Sequence, residues 1–144
     1  MKNRNLEHSD NWATPKELYE KLNKKYNFDF DPCPLHSEID GLNIEWGNSN
    51  FVNPPYSRHL KEAFVKKAIY EMKINGKSSV LLLPVSTSTR LFHDFILPNA
   101  TKIEFLKGRV KFLGVNTKGE YVTDKAPMHD SMIVELDASK QWLS

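Results

Sequence analysis

The chain has 144 residues, of which 40% are hydrophobic and 26% charged, and its formal net charge is +2. This length is that of one domain, and the composition excludes an intrinsically disordered chain, while the small charge neither requires nor excludes a nucleic-acid partner. The chain has no run of about 18 apolar residues, so no membrane span is predicted. Because Cys33 is the only cysteine, an intramolecular disulfide is excluded.

The first element is an amphipathic helix. Residues 1–11 are polar and are expected to be flexible, within a single domain that covers 1–144. The segment TPKELYEKLNKKY then repeats Leu18, Leu22 and Tyr26 at helical spacing, which predicts a helix over roughly 15–26. Thr14 suits its N-cap and Pro15 its first helical position.

Two short strands follow this helix. The segment FDFDP alternates aromatic and acidic residues and predicts a strand that ends at Asp31, beyond which Pro32 and Pro34 prevent regular pairing. Residues 35–49 are rich in turn residues and are predicted to be irregular. The segment NFVN predicts a short buried strand that ends at Asn53.

The second half of the chain predicts the body of a sheet. HLKEAFVKKAIYEMKING reads as a helix closed by Gly76 as C-cap, and the apolar run SSVLLLPVS as a strand buried on both faces. STRLFHDFIL predicts a further helix capped by Ser88 or Thr89. Three more strands are predicted in TKIEFL, RVKFLG and SMIVEL. This order predicts an α/β fold with parallel central strands and an antiparallel C-terminal edge.

The stretch FVNPPYSR places Asn53 at the end of an apolar strand, before two prolines and Tyr56. A residue that precedes proline is held extended, and proline has a fixed φ and no N–H, so this loop is stiff. It leaves the carboxyl end of a strand, where open α/β sheets bind ligands. The side-chain oxygen of Asn53 and the carbonyl of Pro54 therefore form a rigid pair of acceptors beside an aromatic ring.

A nucleobase with an exocyclic amino group is a ligand that fits this arrangement, because its amine can donate two hydrogen bonds to the acceptor pair while its ring stacks on Tyr56. Accepting both hydrogens of adenine N6 draws electron density onto the nitrogen, and such preorganised hydrogen bonds are each worth about 2.7–4 kcal/mol by oxyanion-hole precedent. Stacking on Tyr56 is worth about 1–3 kcal/mol and offsets part of the cost of flipping a base. The alternative is a proline-rich surface turn or a polyproline ligand.

Six pieces of the chain together resemble the small phage-type DNA adenine-N6 methyltransferases, which use S-adenosylmethionine and carry NPPY as their catalytic tetrapeptide. In chain order they are WATP (12–15), FDFDPCP (28–34), GLNIEW (41–46), FVNPPYS (51–57), LLLPVSTSTRLFH (81–93) and KGRVKF (107–112). The resemblance implies a truncated Rossmann-like methyltransferase sheet, mostly parallel with an antiparallel C-terminal edge. It also implies methyl transfer to adenine N6 in DNA, with base flipping.

The resemblance also implies roles by position. The catalytic residues would be Asn53, Pro54, Pro55 and Tyr56. The cofactor would be held by Trp12, Thr14, Pro15, Asp31, Pro32 and Cys33, with the Asp31 carboxylate paired to the ammonium of S-adenosylmethionine. The DNA contacts would be Ser57, Arg58, Lys107, Arg109 and Lys111. For the last three, a solvated strand face is an equal alternative.

Some features stay open on the sequence alone. DPCPLHSE lacks the glycine-rich turn of larger relatives, and the short interval before Asn53 leaves little room for two middle βα units. Asp40 and Glu45 are candidates for the cofactor's ribose. Ser86 and Thr87 either line the pocket or cap the next helix. Cys33 could be the nucleophile of a cytosine-C5 methyltransferase, although a buried thiol in the cofactor turn fits NPPY better.

Alternative substrates also remain open. NPPY suits cytosine N4, RNA adenine or a protein amide equally, and a catalytically inactive nucleic-acid-binding module would explain the missing glycine turn. The histidines and the cysteine show no metal-ligand spacing, so neither a metal nor a membrane partner is expected. The cysteine content fits a reducing cytoplasm, that of the host cell if the chain is phage-encoded. The oligomeric state is not predicted.

Overall fold

The structure is a computed structural model that describes residues 13–34, 40–55, 57–115, 121–123 and 129–143. The helices are α1 (Lys16–Tyr26), α2 (Arg58–Asn75), a π-helical turn (Leu91–Ile96) that runs into the short α3 (Leu97–Asn99), and a 3₁₀-helix (Ala138–Leu143). The strands are β1 (Ser49–Val52), β2 (Ser78–Pro84), β3 (Lys102–Phe105), β4 (Leu113–Val115), β5 (Tyr121–Thr123) and β6 (Ser131–Leu136).

Four of these strands form one mixed sheet in the order β1-β2-β6-β3. β1 and β2 are parallel, from Ser49 opposite Ser78 to Val52 opposite Leu81. β6 is antiparallel to both β2 and β3. β1, β2 and β3 therefore run in the same direction. The predicted parallel pairing is confirmed for β1 and β2. The prediction that the central strands are parallel was wrong, because the central neighbours β2 and β6 pair antiparallel and make the sheet mixed.

The predicted antiparallel edge is present as the pairing of β3 with β6. The last strand, β6, is not itself the edge strand, because it lies between β2 and β3. Five of the six residues of β6 are buried, so this strand needs neighbours on both sides and cover on both faces. β3, with the sequence KIEF, is mostly exposed and carries two charges, which suits an edge that must not pair with another chain.

Two other predicted strands differ from the structure. FDFDP contributes only an isolated parallel bridge between Phe30 and Asn50, because Pro32 has no N–H to continue the ladder. RVKFLG was predicted as a strand of the main sheet, but only its end enters a strand, β4. This strand pairs antiparallel with β5 in a separate two-stranded sheet.

The sheet is buried on both faces, as the apolar run in β2 predicts. Val80 and Leu82 pack in a cluster with Leu22 of α1, whereas Leu81 and Leu83 pack in a cluster with α2. Helices on opposite faces thus explain why β2 shows no alternation of polar and apolar residues. Among the described residues, no helix has the length and apolar character needed to cross a membrane.

The two long helices end as their sequences predict, but α1 begins differently. Gly76 closes α2 with φ 68°, and Asn27 closes α1 with φ 54°, both in the left-handed region that glycine and asparagine tolerate. The N-cap of α1 is Pro15, and the helix has no side-chain cap hydrogen bond. The prediction that Thr14 caps this helix was therefore wrong, because its hydroxyl has another partner.

A buried carboxylate fastens the irregular segment before β1 to α2. Glu71 is completely buried, and its oxygens accept hydrogen bonds from the backbone N–H of Trp46 at 3.1 Å, from Lys67 Nζ at 2.7 Å and from Asn75 Nδ2 at 3.1 Å. Burial raises the pKa of Glu71, but the Lys67 bond and its other donors outweigh it, so the pKa lies below its ordinary value. Glu71 is therefore a satisfied, charged anchor in the core.

Candidate active site

The candidate site lies at the edge of the sheet where β1, β2 and β3 end. Because these strands run in the same direction, Asn53, Val85 and Leu106 all leave the sheet at its carboxyl edge. Open α/β sheets bind ligands at this edge. The candidate residues on the loops after β1 and β3 therefore share one side of the molecule.

Asn53 is fastened at this edge by two other segments. Its side-chain Nδ2 donates a hydrogen bond to Thr14 Oγ1 at 3.0 Å. Its backbone carbonyl accepts one from the Cys33 thiol at 3.3 Å. Because the amide nitrogen is bonded to Thr14, the amide oxygen is the opposite end of the planar group, and its orientation is fixed. Pro54 is buried and Pro55 half-buried, so the loop is anchored as well as stiff.

Asp31 carries an unusual carboxyl group. One of its oxygens accepts the backbone N–H of Cys33 at 3.0 Å, which closes a tight turn. Burial raises the pKa of Asp31 to about 6, although the Cys33 hydrogen bond acts in the opposite direction. Burial, followed by the negative charge of Asp31, also raises the pKa of Tyr19. A poorly solvated carboxylate of this kind gains strongly from a cationic partner.

These residues surround one cavity of about 180 Å³, which we call the α1-face cavity. Its described lining consists of Ala13, Thr14, Tyr19, Asp31, Cys33, Pro34, Phe51 and Asn53. Phe51 and Tyr19 belong to the apolar cluster on the α1 face of the sheet and pack edge to face, with their ring centroids 5.2 Å apart. The cavity therefore joins an apolar wall to a carboxylate, a hydroxyl and an amide.

Cys33 is a structural thiol in this arrangement. Burial, followed by the negative charge of Asp31, raises its pKa well above the ordinary range, although the bond to the Asn53 carbonyl lowers it. A nucleophilic cysteine needs a thiolate, which this environment disfavours. The cytosine-C5 alternative is therefore not supported, and the thiol instead holds the backbone of Asn53.

The structure does not place the other predicted cofactor and catalytic residues in the described lining of the α1-face cavity. Pro15 caps α1 and Pro32 is buried, and neither is among the described residues that line the α1-face cavity. The backbone of Gly41 packs so closely on the carbonyl of Pro32 that a Cβ there would overlap it. Trp12 and Tyr56 lie outside the described residues.

The candidate DNA contacts occupy the same edge of the sheet. Ser57 is the N-cap of α2, and Arg58 is exposed beside Glu62, with Nε 3.3 Å from its carboxylate. Lys107 and Lys111 are exposed after β3. Arg109 lies 3.2 Å from Asp130 in an exposed ion pair, which constrains it little. All of these cations are thus accessible to a polyanion.

The loop after β2 resolves the alternatives for the serine and threonine residues in part. The Thr89 hydroxyl accepts the backbone N–H of Phe92 at 3.2 Å and donates to the Ser86 carbonyl at 2.9 Å. The N-cap residue of the π-helical turn is Arg90 rather than the predicted Ser88 or Thr89, although Thr89 bonds to the first turn from the position before it. Ser86 lines a second and larger cavity, and Thr87 is exposed. Asp40 bonds to Asn43, and Glu45 lies 3.6 Å from Lys77.

Sequence reasoning missed Tyr19 and the second cavity. Tyr19 lies within the helix predicted over 15–26 but was not predicted as a site residue, although its position one turn after Pro15 brings it toward Phe51. The second cavity, of about 510 Å³, is formed by α2, the end of β2 and the π-helical turn. No sequence signal marks it, since its walls come from segments about thirty residues apart that only folding brings together.

Comparison with known proteins indicates the same class of enzyme as the NPPY loop, a DNA adenine-N6 methyltransferase. The family model described as DNA N-6-adenine-methyltransferase (Dam) matches residues 2–144. The DNA N-6-adenine-methyltransferase of Haemophilus phage HP1 (strain HP1c1) is 31% identical over 132 residues, which cover 82% of this chain and 75% of that protein. The protein of the same name from Escherichia phage T1 is 35% identical over 98 residues, 59% of this chain and 40% of that protein.

Proposed function

The chain belongs to the DNA N-6-adenine-methyltransferase (Dam) family, and we propose that the Asn53–Pro54 end of β1 is where it transfers a methyl group to adenine N6 in DNA. The family and the names of both phage relatives favour this reaction over cytosine N4, RNA, a protein amide or an inactive module.

The family implies S-adenosylmethionine as cofactor, and the described residues fit part of it. The α1-face cavity of about 180 Å³ is smaller than the roughly 300–1,000 Å³ of pockets that hold whole ligands. No ion pair joins the Asp31 carboxylate to a cation among the residues that the structure describes, and the ammonium of the cofactor's methionine part would supply one. We assign the methionine part to Asp31, Thr14 and Cys33.

The remaining cofactor residues act differently in this proposal. Pro15 and Pro32 would support the α1-face cavity without contacting the cofactor. Pro15 caps α1, and Pro32 packs against Gly41 in the turn that contains Asp31. Trp12 lies outside the described residues and stays a prediction.

The chemistry of the chain's own residues follows from the orientation of Asn53. Bound S-adenosylmethionine supplies an electrophilic methyl group on its sulfonium. The Asn53 amide oxygen and the Pro54 carbonyl accept the two hydrogens of adenine N6 and increase electron density on the nitrogen. These two oxygens would also stabilise the positive charge that develops on the nitrogen when it takes the methyl group. The proton then leaves to solvent, so no strong general base is needed.

Base binding and strand contacts complete the proposal. Tyr56 is the stacking partner expected for the flipped adenine. Phosphate contacts from Ser57, Arg58, Lys107, Arg109 and Lys111 would supply the remaining binding energy, because they follow β1 and β3 at the same edge. The sheet, extended by the Phe30 bridge, is compatible with a truncated Rossmann-like methyltransferase domain over 1–144. We place the enzyme in the cytoplasm, that of the host cell if a phage encodes it, because its proposed substrate is DNA.

The observation that carries this assignment is the 3.0 Å hydrogen bond that orients the Asn53 amide beside the cavity of Asp31. The test is to treat DNA with the protein and cofactor, digest it to nucleosides and measure N6-methyldeoxyadenosine by mass. We expect the product with the wild-type protein and a loss of about 10²–10³-fold with Asn53→Ala.

The matched control is Asn48→Ala, an exposed asparagine just before β1, at the opposite edge of the sheet. It should leave the rate unchanged. Normal methylation by the Asn53→Ala protein would show that the catalytic assignment is wrong, and absence of N6-methyldeoxyadenosine with the wild-type protein would overturn the function itself.

A further inference from the structure

The second cavity lies outside the residues assigned to the proposed reaction, except for Arg58, which was assigned a phosphate contact. We call it the α2-face cavity. It has a volume of about 510 Å³ and lies between the first turn of α2, the end of β2 and the start of the π-helical turn. Its floor is apolar and includes Leu83, Leu91, Phe92 and Met132. This volume lies within the roughly 300–1,000 Å³ range of small-molecule sites.

The α2-face cavity is separate from the cavity of Asp31. The described linings of the two share no residue. Phe51 of the first belongs to the apolar cluster on the α1 face, whereas Leu83 and Met132 of the second belong to the cluster on the α2 face. Neither Asn53 nor Pro54 is among the described residues that line it, so the proposed acceptor pair does not belong to this cavity.

The rim of the α2-face cavity is cationic. Arg58, Lys61 and Arg90 lie on it with one carboxylate, Glu62, and the hydroxyl residue Ser86 adds a polar group. Arg90 is exposed. Arg58 is also exposed, and its ion pair with Glu62 is at the surface, where such pairs are weak, so a ligand can reach both guanidinium groups. A ligand that matches this site has a flat apolar part for the floor and an anionic part for the rim. A nucleotide has both, with its base and its phosphate.

The position of the α2-face cavity fits a nucleotide of the same DNA strand as the target. Asn53 and Arg58 are the two ends of one loop, five positions apart, so their Cα atoms are separated by at most about 18 Å. A strand that rises about 3.4 Å per nucleotide, or more when unstacked, covers this distance within a few nucleotides. A base that flanks the target adenine can therefore reach the floor while the target lies at Asn53.

We propose that the α2-face cavity binds a nucleotide that flanks the target adenine, with its base on the Leu83–Met132 floor and its phosphate on the Arg58–Arg90 rim. The proposal rests on the proposed function, since it takes DNA as the substrate. It gives the chain a means of preferring particular bases beside the adenine, because the shape and polarity of the floor select the base that binds.

The test uses the methionine methyl groups of the full chain. Met132 lines the cavity, whereas Met72 is buried in α2 and is not among the lining residues. In protein labelled with ¹³C at the methionine methyls, we would titrate each of the four deoxynucleoside 5′-monophosphates to millimolar concentration. We expect the Met132 signal, assigned with Met132→Leu, to shift in a saturable way with at least one nucleotide, while Met72 stays unchanged.

Two variants test the rim. Arg90→Glu and Lys61→Glu should each weaken nucleotide binding about tenfold or more in the same titration. Lys73→Glu is the matched control, because it makes the same charge change on an exposed residue at the far end of α2. The base preference seen at Met132 should reappear as a preference for that base beside the methylated adenine.

Three outcomes would overturn the proposal: no response of Met132 to any nucleotide, an equal response to inorganic phosphate alone, or a response to S-adenosylhomocysteine in place of nucleotides. The last would assign the cavity to the cofactor. A protein that methylates adenine in DNA without a Met132 response refutes this inference and leaves the proposed function standing. A protein that makes no N6-methyldeoxyadenosine refutes the function, whatever Met132 shows.

Discussion

The side-chain amide of Asn53 donates to the hydroxyl of Thr14 at 3.0 Å, across 39 positions of sequence. This bond joins the end of β1 to the residue before the cap of α1. The hydroxyl that the sequence offers as a helix cap is therefore used to orient an amide. The Thr14 hydroxyl oxygen could either cap α1 or accept a hydrogen bond from Asn53, and in the structure it accepts the bond from Asn53.

Loss of the Thr14 hydroxyl should impair catalysis more than stability. Thr14→Val keeps the shape of the side chain but removes the acceptor, so the Asn53 amide can rotate, and we expect kcat to fall about 10–100-fold, as for other small misplacements of reacting groups. The midpoint of urea denaturation should change little, because Thr14 does not cap α1. Thr14→Ser, which retains the hydroxyl, is the control and should stay near wild-type kcat. Equal losses in both variants would contradict the orienting role.

Cofactor binding should depend on the ionisation of Asp31. The pKa of this carboxyl is about 6 in the free protein, and only the ionised form attracts an ammonium. The affinity for S-adenosylhomocysteine, which has the same amino-acid ammonium and carboxylate, should therefore decrease as pH falls from 7.5 to 5. Asp31→Asn should bind about 10–100-fold more weakly at pH 7.5, with a flatter pH dependence. Calorimetric titration over this range measures both effects, and an unchanged affinity in Asp31→Asn would exclude the pairing.

The same carboxyl should lower the stability of the free protein at neutral pH. Its pKa is raised from 3.8 to about 6, so the folded state binds the proton more tightly than the unfolded state. Its unfavourable contribution is therefore absent below about pH 4, develops as pH rises, and is complete above about pH 6. Asp31→Asn should raise the free energy of unfolding at pH 7.5 by up to about 3 kcal/mol.

The comparison that isolates this effect is the difference in unfolding free energy between wild type and Asp31→Asn, measured with urea at pH 4 and pH 7.5. The difference should grow with pH. Asp94→Asn, at an exposed position of the π-helical turn, serves as the control for a change in net charge. A difference that stays constant with pH would mean that Asp31 has an ordinary pKa.

A side chain at Gly41 should displace the cofactor turn. A Cβ at this position would overlap the carbonyl oxygen of Pro32 and approach the ring of Phe64. Gly41→Ala should therefore reduce the unfolding free energy by about 1–3 kcal/mol and weaken S-adenosylhomocysteine binding, because Pro32 adjoins Asp31. Gly76→Ala, where a Cβ has open space but φ is positive, should affect stability alone. If both variants bound S-adenosylhomocysteine with the same affinity, the proposed link between Gly41 and the cofactor turn would be wrong.

The parts of the fold that sequence predicts are those in which local pattern and tertiary environment agree. β2 is apolar at every central position because both of its faces are covered, and α2 ends at a glycine that adopts a left-handed φ. Asn53 could be placed at a strand end because the prolines after it admit few conformations. These signals are carried by adjacent residues, so no knowledge of distant partners is needed.

The position of β6 and the shape of the cavities depend on distant partners. The apolar segment SMIVEL predicts a buried strand but does not tell which strands flank it. Because it is the last of three consecutive predicted strands, the sequence favours an edge position for it. FDFDP alternates like a strand, but only Phe30 pairs with Asn50. Likewise, the polar groups around Asp31 come from α1, the turn and β1, and only the folded chain brings them within hydrogen-bonding distance.

The placement of β6 also bears on how the chain reaches its final form during synthesis. Among the described strands, β3 pairs only with β6, which is the last of them to leave the ribosome. Until that segment is available, β2 and β3 each present an unsatisfied backbone edge, and closing the gap requires contacts far apart in sequence, which slows folding. The nascent protein should therefore gain protease resistance in one late step, when Ser131–Leu136 inserts and completes the centre of the sheet.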